Sequence, residues 1–374
     1  MPVRPFRPSD EAEVRRLHLE VGWRPRSAEG WRWLRSNPAH RHDAEPCGWV
    51  VTDDDDRAVA FLGNLLLRYR LNARDLVGAT GFNLIVPPTQ RGRSRDLLDV
   101  FVKQQNVFAT WIFNANPLSA PLYGRFDMLP WPETHAVKLS WVVDPLVCME
   151  GRLLRTVAKA APKLAPRLGE RLMNPRLAAT PHLKLPPGVA VLSDLADRSR
   201  YGDFWTALKD EGRLVADRSP AMLRWRLADP DLTRPPLLLG FNRGRRITGV
   251  AMAVLGKGAA IDPPFLEILD LVALNDEQDA IPVLVKTLIA NARSLGAAKV
   301  RLPLVAPRLI EQLGPLAASA RQEGGWGHCH IKFAADAPDP ALWSPTAYDA
   351  DYAVCLREPP VTVAANQKSG RAAA

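Results

Sequence analysis

The chain has 374 residues, 47% of them apolar and 24% charged, which is the composition of a globular protein long enough for two domains. No apolar run approaches the ~20 residues of a membrane-crossing helix. The opening MPVRPFRPSDEAEVRRL has no apolar secretory core, so a cytoplasmic protein is expected. The net charge of +9 would suggest nucleic acid, but residues 151–187 hold eight Lys or Arg against one acid, leaving +2 elsewhere and no broad nucleic-acid-binding face.

In chain order, residues 3–7 read as a short strand, and SDEAEVRRLHLEVGW as a helix capped by Ser9 with Val14, Leu17 and Val21 at helical spacing. A second helix, SAEGWRWLRSNP, stops at Pro38. GWVVTDDDDRAVAFLGNLLLRYRLN is strand, acidic turn and strand, and DLVGATGFNLIV is another strand. A loop with three arginines around Gly92 follows, then an amphipathic helix, the strand VFATWIFNAN and the short helix LSAPLYGRF.

The second half repeats this order. AMLRWRLADP places Trp225 five residues before Pro230, as Trp33 stands five before Pro38. LLLGFNRGRRITGVAMAVL is again strand, turn and strand, EILDLVAL matches GFNLIV, and DAIPVLVKTLIANARSLG matches the helix after the loop. Trp33 to Trp225 and Val86 to Leu274 give offsets of 192 and 188, so one period fits both ends. The expected architecture is α/β (α+β): two copies of a mixed, largely antiparallel sheet flanked by helices. The expected divisions are 1–147, a basic helical linker over 148–187, a second domain over 188–357, and a disordered tail over 358–374.

The chemistry concentrates in NLIVPPTQRGRSRDLLDVF. A strand that enters a helix through a glycine-containing loop aims backbone N–H groups and the helix dipole at one spot, and Arg91, Arg93 and Arg95 add charge for phosphates. Neither G-x-x-x-x-G-K-[ST] nor G-x-G-x-x-G occurs, so nucleotide hydrolysis and dinucleotide binding lose their usual support. A solvated basic turn is the alternative for this loop alone.

This loop resembles the acyl-CoA signature of the GNAT superfamily of N-acyltransferases, [Q/R]-x-x-G-x-[G/A]. Thr89, Gly92 and Ser94 take its positions in one register; in the other Gln90 comes first and Arg93 replaces a glycine. NANPLSAPLYGRFDM resembles a later GNAT segment, N-x-x-S/A-x-x-L-Y-x-x-x-G-F, with Asn116, Ser119, Leu122 and Tyr123 in place and Phe126-Asp127 where Gly-Phe is usual. LRWRLADP and the closing LWSPTAYDADYA look like the WR-x-x-x-P helix and terminal strand of tandem GNAT-like proteins. The resemblance implies an acyl-CoA-dependent N-acyltransferase using acetyl-CoA, with a small-molecule, sugar or peptide amine as acceptor. It implies that Leu84, Ile85 and Val86 face the pantetheine and thioester, that Gln90, Arg91, Gly92, Arg93 and Ser94 hold the pyrophosphate, and that Asn116 and Ser119 complete the coenzyme site. Tyr123 is the implied proton donor to the leaving thiolate.

His18, Glu20 and His135 are candidate general bases. Asp53 to Asp56 lie between two apolar strands and read as a solvated turn rather than a Ca²⁺ loop. His328-Cys329-His330 lacks a second ligand pair, so no metal is expected, and the four scattered cysteines read as reduced thiols. Trp23, Trp31 and Trp33 read as core residues near the acceptor side. The second copy has NDEQDAIPVLVK where the first has its basic loop; acids there would repel a pyrophosphate, so that copy is expected to be non-catalytic. A GNAT fold without catalysis and a tRNA-dependent aminoacyl transferase are the alternative functions. Within the linker, Val157, Ala161, Leu164, Leu168 and Leu172 form an apolar stripe expected to pack between the domains, with weak membrane-surface contact as the alternative.

Overall fold

The computed structural model describes residues 2–40, 45–161, 164, 167–169 and 182–358. The first half runs β1 (Val3–Pro5), α1 (Glu11–Glu20), α2 (Ala28–Arg35), β2 (Gly48–Thr52), β3 (Ala58–Leu71) and β4 (Arg74–Ile85). It continues with α3 (Ser94–Val102), β5 (Ala109–Ile112), α4 (Ala120–Tyr123), β6 (Leu129–Pro130), β7 (Val137–Val142) and α5 (Pro145–Ala160). The second half runs β8 (Val189–Val191), α6 (Arg200–Lys209), β9 (Val215–Ala216), α7 (Pro220–Leu227), β10 (Leu237–Arg243), β11 (Arg246–Gly256) and β12 (Phe265–Ala273). After it come α8 (Ala280–Ala292), β13 (Lys299–Leu302), α9 (Pro307–Leu313), α10 (Pro315–Ser319), β14 (Arg321–Gly324) and β15 (His330–Phe333).

Two mixed sheets result, both antiparallel except at β4–β5 and β12–β13. The first has the order β1-β2-β3-β4-β5-β15-β6, with β9 paired to the far end of β3; the second has β14-β7-β13-β12-β11-β10-β8. The halves exchange strands. β7 leaves the first half to pair with β13, Trp141 opposite Val300, and β15 leaves the second to pair with β5, Ile331 opposite Trp111. Divisions at 147 and 188 therefore do not separate two self-contained sheets. Leaving both halves short would expose the unpaired edges of β5 and β13, and the exchange covers each with a strand.

Local structure in the two halves matches at several points. Ser27 and Ser219 cap α2 and α7, accepting from the backbone N–H of Gly30 and Met222. Trp33 and Trp225 stack on each other, ring centroids 4.4 Å apart and 10° from parallel. Each indole N–H donates to the other residue's carbonyl, at 2.7 Å from Trp33 and 3.1 Å from Trp225. Arg26, just before α2, is buried and donates to both carboxylate oxygens of Asp229, at 3.0 and 3.1 Å, and to the Val354 carbonyl. Arg218, at the same point before α7, makes the corresponding two-pronged contact with Asp270 at 2.8 and 2.9 Å. One apolar cluster runs through the joint, from Trp31, Phe61 and Trp111 to Tyr348, Met252 and Leu269.

Two elements differ from expectation. LWSPTAYDADYA is not a terminal strand; it forms short 3-10 turns, including Ala347–Asp349 and Asp351–Ala353, and β15 takes the strand's place. α5 buries Gly151 and Leu154, and a Cβ on Gly151 would lie 2.8 Å from Pro263 Cδ, so it lies on the β11–β12 connection. It ends at Ala160, before the proline that cannot continue it. Of the expected stripe, Val157 and Leu168 are half-buried and Leu164 is exposed; Leu172 lies outside the described residues, as does the tail from 359 on.

Replacing Arg26 by Met should cost about 3–5 kcal/mol, because it strands the buried carboxylates of Asp229 and Asp231. The chemical-denaturation midpoint checks this; a loss under about 1 kcal/mol would mean that the joint does not hold the halves together.

Candidate active site

β4 and β5 pair only at Ala79–Thr110 and Thr80–Trp111, and beyond that point they part. The separation has a local cause. Phe61 of β3 faces Ile85 and Gly63 faces Phe82, so Asn83 and Leu84 together oppose Leu62 as a β-bulge. Asn83 carries the kink at φ +50°, a left-handed conformation that asparagine tolerates. The bulge bends β4 away from β5 and opens a cleft of about 350 Å³. At its floor the Ile112 side chain closes on Gly81, where a Cβ would come within 2.5 Å of Ile112 Cδ1.

Of the residues expected to hold the coenzyme, Leu84, Asn116 and Ser119 line this cleft, and so does Tyr123. Asn116 Oδ1 accepts from the backbone N–H of Leu118 and Ser119, both at 2.9 Å, and so starts the turn into α4 that carries Tyr123. Burial pushes the Tyr123 phenol up to about 12, so it stays protonated at any working pH. Ile85 points into the core beside Phe61, and Val86 packs in the cluster beneath α3; neither lines the cleft.

The arginine loop stands apart from the cleft. Pro88–Gln90 form a 3-10 turn, and Gly92 has φ +101° with open space where a Cβ would be, so the position requires glycine for its conformation and not for a close neighbour. Gln90 and Ser94 are half-buried and Arg91 is exposed. Arg93 stands at the N-cap position of α3 without a side-chain capping bond, pairs with Asp96 at 3.2 Å, and borders a shallow depression with Arg95, Asp99, Arg125 and Phe126.

The cleft also receives residues from the end of the chain: Asp351 and Cys355 line it opposite β4. Asp351 Oδ2 accepts from the Cys355 thiol at 3.1 Å, while Oδ1 is buried with no hydrogen-bond partner among the described residues. Burial raises this carboxyl to about 6. The Cys355 thiol also lies 3.4 Å from Asn83 Oδ1, and the Asn83 amide donates to His18 Nε2 at 2.8 Å, fixing His18 Nδ1–H on the Val14 carbonyl. His18 is buried behind the strand, and burial lowers its pKa. Glu20 is exposed and paired with Arg16 at 3.2 Å, and His135 does not line the cleft. Among the candidate bases, Asp351 was not marked by the residue pattern, although an acid set between aromatic residues in AYDADYA was a usable signal.

The corresponding place on the second sheet is filled. Trp343 to Asp349 lie against Leu271–Ala273, and Thr346 donates to Asp270 at 2.8 Å, leaving about 30 Å³. Asp53 to Asp56 form the turn between β2 and β3, with Asp53 Oδ1 accepting from the backbone N–H of Asp55 and Arg57. His328 is buried against the Pro303 carbonyl, and among the described residues no group of three or more His, Cys, Asp or Glu could hold a metal ion.

Comparison with solved structures decides the fold. N-myristoyltransferase from Saccharomyces cerevisiae, solved with myristoyl-CoA, superposes with a TM-score of 0.54 over 93% of this chain and 83% of that one, at 10% identity. A probable N-acyltransferase from Enterococcus faecalis gives 0.51 over 89% and 72%, at 11% identity. The chain has a GNAT fold. A GCN5-related N-acetyltransferase from Anabaena variabilis agrees, with a TM-score of 0.51 over 89% and 72% at 14% identity. No family model and no curated protein matches the sequence. The likeness is therefore one of GNAT architecture, with two mixed sheets flanked by helices.

Proposed function

We propose that the protein is an acyl-CoA-dependent N-acyltransferase that transfers acetyl from acetyl-CoA to an amine, with its single active site in the β4–β5 cleft. The observation that carries this is the meeting, in one opened strand pair, of a carboxyl poised near 6 and a phenol that keeps its proton. The backbone around Leu84 and the Asn116–Ser119 turn receive the thioester arm. Arg91, Arg93 and Arg95 at the start of α3 attract the coenzyme's phosphates. The closure of the floor by Ile112 on Gly81 favours a short acyl group.

Asp351, ionised above pH 6, takes a proton from the acceptor amine, whose nitrogen attacks the thioester carbon. The C–S bond breaks, and Tyr123 donates a hydrogen bond to the departing sulfur. At about 12 the phenol is a weaker acid than a thiol, so it stabilises the developing thiolate more than it surrenders its proton. Full protonation of the thiol is completed by solvent. The filled cleft and acidic turn of the second half make that half a structural partner that supplies Asp351.

The test is release of free CoA from acyl-CoAs of increasing chain length in the presence of a panel of amines. Acetyl-CoA should be turned over fastest; no turnover with any amine would contradict the reading. Activity should rise with pH through about 6, since a carboxyl whose pKa burial has raised must lose its proton to act. Asp351→Asn should remove that limb and lower kcat about 10²-fold or more, and Tyr123→Phe should lower kcat about 10²-fold with acyl-CoA affinity unchanged. A variant pair at wild-type kcat would remove both assignments.

Arg91→Glu together with Arg93→Glu should weaken CoA binding tenfold or more with little change in melting temperature, because Arg91 is exposed and the half-buried Arg93 makes only a solvent-exposed ion pair with Asp96. Unchanged affinity would mark the loop as a solvated turn.

A further inference from the structure

The cleft opens sideways into a second recess of about 240 Å³ at the joint between the halves, and Trp23, Arg24, Asn114, Gly258 and Cys355 border both spaces. The walls of this recess are mostly cationic: Arg24, Lys138, Lys257, Arg301 and Arg357 against the carboxylates of Glu267 and Glu358. Glu267 is already matched, since Arg357 binds it through two guanidinium nitrogens and Arg301 lies 3.8 Å away. Arg24 has no ion-pair partner among the described residues.

Lys138 is the unusual member. It sits on the exchanged strand β7, only 6% exposed, and among the described residues no carboxylate lies within ion-pair distance of it. Its ammonium donates to Tyr352 Oη at 3.2 Å and lies 5.1 Å from the centroid of the Trp326 ring and 5.7 Å from that of Tyr352. Burying a charged lysine against two aromatic faces and one phenol leaves most of its lost hydration unreplaced. Burial and the nearby Arg301 accordingly lower its pKa. The missing partner is an anion, and the recess has room for one. Tyr352, which holds Lys138, is the next residue after Asp351, so one 3-10 turn places Lys138 at the recess and the Asp351 side chain in the wall of the cleft.

We propose that this recess binds a carboxylate on the acceptor, so that the accepted amines are of the amino-acid class, with the amine at Asp351 and the acid group at Lys138 and Arg24. This rests on the acyltransferase reading of the cleft. An acceptor with one cationic and one anionic end would be held across the turn in a single orientation.

The test compares matched acceptor pairs on the full chain with acetyl-CoA: lysine with cadaverine, phenylalanine with phenethylamine, and tryptophan with tryptamine. The acid-bearing member should have the higher kcat/KM by tenfold or more. Lys138→Met should remove most of that preference by raising KM for the amino acids, leaving KM for the simple amines and for acetyl-CoA within about twofold. Arg24→Gln, at a half-buried rim position, should reduce the preference in the same direction and serves if Lys138→Met fails to fold. Equal use of both members by the wild-type protein, or a preference that both variants retain, would overturn the acceptor assignment while leaving the acyltransferase reading intact. Loss of acetyl-CoA binding in Lys138→Met would also overturn it, by giving Lys138 to the coenzyme. Failure to release CoA with any acceptor would instead remove the underlying reading.

Discussion

The buried guanidinium of Arg26 commits the two halves of the molecule to one arrangement. It stands at the start of α2, grips Asp229 beyond the end of α7, and donates to the carbonyl of Val354 near the end of the described chain. A guanidinium out of water is tolerable only when its donors are matched by well-placed acceptors, so all three segments must meet at one point. The Val354 contact reaches furthest. It pins the turn that carries Asp351 and Cys355 against the first sheet, and without that turn the β4–β5 cleft has a strand bulge and a tyrosine but no carboxylate.

Around this clamp the two halves match in some contacts and differ in others. The Trp33–Trp225 stack is reciprocal, each residue donating to the other's carbonyl. Arg26 and Arg218 are equivalent in position but not in partner: one binds across the joint, the other binds Asp270 and steadies the segment that fills the second sheet's cleft. The exchange of β7 and β15 makes each sheet depend on the other half of the chain. One cleft stays open on the first sheet, built from both halves.

Much of this was legible in the residues because it rests on local rules. Hydrophobic periodicity placed the helices and strands, and the equal distance of Trp33 and Trp225 from a helix-ending proline marked the two helices whose tryptophans stack. The segment from Asn116 to Tyr123 placed one wall of the cleft. The strand exchange was not legible, since β7 and β15 are six and four residues long and their alternation suits either sheet. Partner choice depends on which edge the chain reaches, and that is set by tertiary packing. Asp351 was missed for a related reason: its proposed role comes from burial and from sharing the cleft with Asn83 and Tyr123, residues over 200 positions away in the chain. The arginine loop shows the opposite case, a motif conspicuous in sequence that lies beside the cleft and not in its wall.

The proposal is one acyl-CoA site per chain, in the β4–β5 cleft, not a site in each half. Isothermal titration of acetyl-CoA into the full-length protein tests that claim most directly. One molecule bound per chain, with binding abolished by a bulky substitution at Gly81 on the cleft floor, is the predicted result. Two molecules per chain, or no heat at millimolar acetyl-CoA, would contradict it.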